Sequence, residues 1–352
     1  MSIAVEKWPF LRGQRPYAWA MFAVVLMDKG KAADAVDVAL DAMKHPECCA
    51  RARQLARDVL SRNVPRWHWA LVRDERRNAA YETALRKVLE PGMTVLDIGT
   101  GSGILSLLAA RAGADRVIAC EENPAVARMA EENVRVNGAA ARTSVIAKNS
   151  RELSIGDDLD GPVDVVVSEI VDNSLLGEGA LPTHRDVVGR LLRPGGHVIP
   201  AIGGIKAALA YDPSLDRRLM ASHAGFDLSA FNQIHGKSYK LPVNSPGLRL
   251  MSEPATLFRF AFGEPDTWPG MTARCSVPVS AGTANIIVQW IRLEMIDDGQ
   301  PESVYEVYPG EGNKSCWGLI CWMLERELTL TAGGTVDLCA SRTDTNLRVW
   351  LE

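Results

Sequence analysis

The segment Ser168-Glu169-Ile170-Val171-Asp172-Asn173-Ser174-Leu175-Leu176-Gly177-Glu178-Gly179 holds the residues whose types and spacing best suit chemistry. Two carboxylates, Glu169 and Glu178, flank a loop that starts at the carboxyl end of an apolar run. That edge is where open α/β sheets bind ligands. Two anions held close are costly unless a cation lies between them. A guanidinium suits the place, because it is planar, forked and pairs bidentately with carboxylates. Glycines bracket Glu178, and the Leu175-Leu176 pair can anchor the loop on the core; a merely solvated acidic loop would need neither.

A second cluster lies upstream. Asp97-Ile98-Gly99-Thr100-Gly101-Ser102-Gly103 follows the apolar run Thr94–Ile98 and opens a helix-like run from Ile104 to Ala112. Glycine lets a backbone turn sharply and approach a ligand without a Cβ in the way. The spacing is not that of a dinucleotide fingerprint, since Ile104 stands where the third glycine or alanine belongs. It resembles motif I of the class I S-adenosylmethionine methyltransferases. Glu121 ends the next strand, where a carboxylate can accept hydrogen bonds from both hydroxyls of a ribose.

The elements that must carry these residues follow from periodicity. Residues 1–62 read as helices at 3.6-residue spacing, broken at Asp28-Lys29-Gly30-Lys31, and resemble one tetratricopeptide repeat. One repeat cannot bury its own apolar face, so it must dock on the neighbouring domain. Over 63–200 strands alternate with helices: Arg116–Glu121, Pro124–Asn137, Ser144–Ala147 and the nearly all-apolar Val163–Ile170. That rhythm predicts a doubly wound, Rossmann-like α/β sheet. Over 201–352 short alternating segments replace it, among them Ile205–Ala210, Thr256–Phe262, Asn285–Glu294 and Val336–Ala340. They predict an antiparallel β half, a β-barrel or a sandwich.

Composition narrows the function. The net charge of −4 speaks against a general nucleic-acid binder. The run Ala18–Met27 is about half a membrane span, which gives no membrane partner. Seven cysteines without a CxxC pair predict neither a disulfide framework nor a metal site, but reduced thiols in a cytoplasmic protein. Of the 39 basic residues, 29 are arginine, a bias of GC-rich bacterial genomes.

From about Trp67 to the C-terminus the chain resembles the protein arginine methyltransferases, through the double-glutamate loop, motif I and Asp74-Glu75-Arg76-Arg77-Asn78-Ala79-Ala80-Tyr81, which is similar to the family helix that covers the cofactor. The branch with N-terminal tetratricopeptide repeats is the most similar, although its second methyltransferase-like module has no counterpart here. The resemblance implies S-adenosylmethionine as cofactor, held by Arg77, Asp97, Gly99, Gly101, Glu121, Ser150 and Glu152, with Arg77 on its carboxylate and Ser150 and Glu152 near adenine. Glu169 and Glu178 would be catalytic, with Asp74 and Trp317 lining the substrate pocket. Two departures stand out. Ser315-Cys316-Trp317 replaces the family's threonine-histidine-tryptophan, leaving Asp74 without an imidazole partner, and Trp67-His68-Trp69 stands near the place of paired tyrosines. His68 reads as a packed ring more readily than as a base. The expected reaction is N-methylation of a terminal guanidino nitrogen of arginine, leaning to free L-arginine in a bacterial natural-product pathway. Peptidyl arginine and a catalytically dead cofactor-binding scaffold are the alternatives. The family also admits a homodimer.

Overall fold

The computed structural model describes residues 3–62 and 64–352; the expected boundary at 62/63 touches a residue outside the described set. Four helices open the chain: α1 (Ile3–Lys7), α2 (Pro16–Asp28), α3 (Ala32–Lys44) and α4 (Ala50–Ser61). Small residues on their facing sides (Ala20, Ala23, Ala35, Ala39, Ala42, Ala52, Ala56) are fully buried and let the helices cross closely around Trp19 and Leu26. Contrary to the expectation that the cap cannot bury its own apolar face, these helices enclose a core of their own, and a polar contact ties them to the α/β half: Arg128 reaches both carboxylate oxygens of Asp37, at 2.9 and 3.3 Å.

Helices α5 (Trp67–Val72) and α6 (Glu75–Val88) lead into the α/β half. There β1 (Thr94–Ile98), α7 (Ile104–Ala112), β2 (Arg116–Cys120), α8 (Pro124–Val136), β3 (Thr143–Ile146), β4 (Val163–Ser168), α9 (Ala180–Arg190) and β5 (Leu192–Ile199) come in that order. The five strands form one parallel sheet in the order β3-β2-β1-β4-β5. Strand β1 is central, and four of its five residues are buried, as a strand covered on both faces requires. The doubly wound reading holds. Strand β5 escapes periodicity because Pro194-Gly195-Gly196 sits inside it.

A cis Ile199–Pro200 bond leads straight into the second half. Its strands are β6 (Ile202–Tyr211), β7 (Ser222–His223), β8 (Phe226–Asp227), β9 (Ser238–Leu241), β10 (Arg249–Leu250), β11 (Ala255–Ala261), β12 (Thr272–Pro278), β13 (Gly282–Glu294), β14 (Val304–Glu306), β15 (Leu319–Leu330), β16 (Thr335–Arg342) and β17 (Leu347–Leu351). A seven-stranded antiparallel sheet centred on β6, β13 and β15 and a three-stranded sheet, β12-β16-β17, make the β-barrel half. Phe258, Phe260, Trp290, Ile291 and Leu293 are buried in the same core that holds β1 and β4.

Candidate active site at the carboxyl edge of the parallel sheet

Loops after β1, β2, β3 and β4, together with α5 and α6, enclose a cavity of about 400 Å³. Its walls carry Arg77, Gly99, Gly101, Glu121, Ser150, Glu169 and Glu178. Thus seven of the eleven sequence-predicted site residues meet in one place.

The glycine loop is held from below. Asp97 is fully buried, and its Oδ2 accepts from Thr100 Oγ1 and Ser106 Oγ, both at 2.6 Å. Burial raises its pKa, against those hydrogen bonds. Asp97 therefore shapes the loop beneath the cavity, whose lining it does not join. Gly99 has φ +66°, and a Cβ there would meet Ile170 Cγ2 at 2.7 Å. This glycine is demanded by packing against the segment after β4, as well as by the turn.

Glu121, just past β2, accepts the Gly101 N–H at 3.1 Å on one oxygen and the Asn123 N–H at 2.9 Å on the other. One lone pair on each oxygen remains for a ligand. Burial raises its pKa. Ser150 lines the cavity, whereas Glu152 is exposed and outside the lining. Glu122 and Asn149, joined by a 2.8 Å hydrogen bond, occupy that wall instead. Sequence reading missed both, since polar residues at strand ends are common on any surface.

Helix α6 is capped by Asp74, whose Oδ1 accepts the Arg77 N–H at 2.9 Å. The cap fixes the first turn and with it the Arg77 side chain. Arg77 is 2% exposed, and its Nε and Nη1 have no hydrogen-bond partner within the protein. Glu169 Oε2 lies 3.4 Å from Nη1, and Glu169 Oε1 is also buried without a partner. A buried guanidinium and a buried carboxylate with unspent valence are costly unless a ligand completes them.

The double-glutamate loop folds around Asp172. Its Oδ1 accepts from Ser174 N at 2.8 Å, Ser174 Oγ at 2.6 Å and Gly177 N at 3.0 Å. Leu175 and Leu176 are fully buried and pin the loop to the core, Leu175 at φ +75°. Burial pushes the Glu169 carboxyl up to about 8, against the pull of Arg77, and the charge of Glu178 adds to the rise. Glu178 stands exposed at the mouth; partial exclusion of water by the cavity walls, then Asp172 and Glu121, push its carboxyl up to about 7.

Trp317 lies behind this loop, donating from Nε1 to the Val171 carbonyl at 3.2 Å, and is outside the cavity lining. Asp74 likewise faces the barrel: its Oδ2 accepts from Tyr305 Oη at 2.5 Å and Cys316 N at 2.9 Å. Burial opposes its charge, but these bonds outweigh it and hold the carboxyl below its ordinary range. Tyr305 thus takes up the aspartate that the missing histidine leaves without an imidazole. No local signal marked it, because β14 is three residues long and is brought to the site by its pairing with β13 and its packing on α6. His68 lies against Trp67 with ring centroids 3.9 Å apart and planes tilted by 32°, and lines the cavity beside Gly101; burial lowers its pKa.

A family model described as ribosomal protein L11 methyltransferase (PrmA) matches residues 82–201. The chain is 34% identical, over 307 residues, to the arginine N(omega)-methyltransferase of Streptomyces achromogenes subsp. streptozoticus, covering 86% of this chain and 83% of that enzyme. It belongs to the arginine N-methyltransferase family. It is also 30% identical over 251 residues to protein arginine N-methyltransferase 7 of Drosophila melanogaster, covering 65% of this chain but 36% of that protein. Among solved structures, the Trypanosoma brucei PRMT1 enzyme–prozyme heterotetrameric complex with AdoHcy superposes with TM-score 0.70 at 22% identity, covering 80% of this chain and 89% of that one. Arabidopsis thaliana protein arginine methyltransferase 10 gives 0.66 at 20% identity, over 81% and 92%. These two share the fold of both halves.

The family's methyl donor, S-adenosylmethionine, fits the residues present. The unpartnered nitrogens of Arg77 suit its carboxylate, the free lone pairs of Glu121 suit its ribose, and Gly101 opens the wall between them. Among the described residues no helix is long and apolar enough to cross a membrane.

Proposed function

We propose that this arginine N-methyltransferase acts on free L-arginine at a terminal guanidino nitrogen. When bound, S-adenosylmethionine supplies an electrophilic methyl group. The protein supplies position. Glu169 and Glu178 hold the guanidinium between them and keep one nitrogen in line, while Arg77 and Glu121 keep the donor in register. The carboxylates bias the cation's charge toward the nitrogens they touch, which frees the lone pair of the reacting one. Orientation of this kind supplies about 7–11 kcal/mol in favourable cases.

The observation that carries the reading is the convergence of two carboxylates with raised pKa values on the cavity that also holds Arg77 and Glu121. The lean to the free amino acid is supported by the match along 83% of the enzyme named for arginine itself, against 36% of the Drosophila protein methyltransferase. The net charge of −4 also offers no large acidic excess for basic tails. The test incubates enzyme and cofactor with free L-arginine and, separately, with an Arg/Gly peptide, and follows product mass. Gain of a methyl on free arginine is the expected result. Methylation of the peptide alone would move the substrate class to peptidyl arginine, and methylation of neither would leave a cofactor-binding scaffold.

A further inference from the structure

His184 lies in the first turns of α9, is 1% exposed and takes no part in the chemistry described so far. Its Nδ1 is 2.8 Å from the Ala180 carbonyl oxygen, which can only accept, so Nδ1 carries the proton. Nε2 then holds a lone pair and accepts the Ser168 hydroxyl at 3.0 Å. Phe262, next after β11, stacks face to face on the ring at 4.3 Å with planes 7° apart. Burial pushes the imidazole down to about 4, which keeps it in this neutral form.

The two hydrogen bonds fall at the two ends of one loop. Ser168 immediately precedes Glu169, and Ala180 follows Glu178 by two residues. The Ser168 carbonyl is fixed separately by the Tyr81 hydroxyl at 2.9 Å. Asp172 organises the inside of the loop, but its side chain bonds to Ser174 and Gly177, both within the loop, so it does not set the distance between the loop's ends. The imidazole does, because it is bonded to both, and the Phe262 stack fixes its plane from the barrel side.

We propose that His184 is a positioning residue that staples the double-glutamate loop shut and sets the spacing of the Glu169 and Glu178 carboxylates. This rests on the reading of those glutamates as a guanidinium clamp. A neutral ring with one donor and one acceptor does the task without adding charge beneath two carboxylates. Loosening it leaves both carboxylates in the cavity but out of register, so the guanidinium still binds while its reacting nitrogen drifts off line.

The test compares Ser168→Ala, which removes only the hydroxyl, with His184→Phe, which keeps the stack and loses both bonds, and with Glu169→Gln. Cofactor affinity by calorimetry, thermal melting, and kcat and KM for L-arginine are read for each. Ser168→Ala and His184→Phe are expected to lose roughly 10- to 100-fold in kcat with little change in KM or cofactor affinity, the scale of a misplacement of about 1 Å. Parallel falls in melting temperature, cofactor affinity and activity in Ser168→Ala would show a purely structural bond and overturn the proposal. An inactive Glu169→Gln beside a normal Ser168→Ala would overturn the staple and leave the clamp standing. A fully active Glu169→Gln would overturn the clamp, and the staple with it.

Discussion

Arg77 and Glu169 face each other at 3.4 Å with side chains 3% and 6% exposed, yet Arg77 Nη1 makes no hydrogen bond. Under the proposed function the guanidinium serves a carboxylate on the cofactor side and the carboxylate serves a guanidinium on the substrate side, which puts the pair at the divide between the two ligands.

Replacing Arg77 by Lys keeps the charge but removes the fork. Cofactor affinity is expected to fall roughly 10- to 150-fold, the worth of one hydrogen bond between charged groups. Calorimetry with S-adenosylhomocysteine, which retains the carboxylate, measures this without turnover. Unchanged affinity would remove Arg77 from the cofactor site.

Neutralising one side of the clamp leaves a cation with half its partner at a site buried on the Glu169 side. Glu178→Gln and Glu169→Gln should each lose roughly 30- to 4000-fold in kcat/KM for arginine. The double variant should be little worse than either single one, because both act on one group. Glu178→Gln is the cleaner of the two, since Glu169 also neighbours Arg77. Cofactor affinity should survive in Glu178→Gln. Near-normal turnover in both singles would reduce the acidic loop to ordinary surface.

Both carboxyls are raised above their ordinary 4.5, to about 8 and about 7. The folded free enzyme then binds more protons than the unfolded chain between pH 4.5 and 8, so these two groups cost stability as pH rises through that window. Guanidinium prefers them ionised, so its binding expels protons. Arginine kcat/KM should climb between about pH 6 and 9 and level off above, as a profile of the free enzyme reports. Glu178→Gln should leave a single step, moved below the upper one because the charge of Glu178 no longer adds to the rise of Glu169. A flat profile over that range would contradict the raised pair.

Much of this site was legible from residue spacing alone. The bounds of β1 and α7 coincide with the expected ones, because an apolar strand, a glycine turn and a helix run are all local signals. The carboxylate pair was legible for the same reason. What escaped notice depends on contacts distant in sequence: Tyr305 reaches Asp74 across 231 positions, and His184 gains meaning only once Ser168 is beside it. Glu152 and Trp317 show the converse, since their neighbourhood was right while the cavity wall is built from Asn149, Glu122 and His68.

Gly177 offers a stability test of the loop. A Cβ there would stand 2.2 Å from Asp172 Oδ2, so the aspartate must move and give up its three hydrogen bonds. Gly177→Ala should cost about 1–3 kcal/mol in a denaturant titration and should depress arginine turnover more than cofactor binding. A variant as stable and active as the parent would mean that Asp172 is dispensable to the loop.

The hydrophobic core runs without a break from Tyr81 on α6, through Leu96 and Val166 of the parallel sheet, to Trp290, Leu338 and Val349 of the barrel. Helices α1 to α4 enclose a separate one. Heat should therefore reveal two cooperative units rather than three: sheet and barrel absorbing in a single calorimetric peak, the helical cap in its own. Recombination between relatives could then exchange the cap freely, whereas a crossover near residue 200 would cut through one cooperative body.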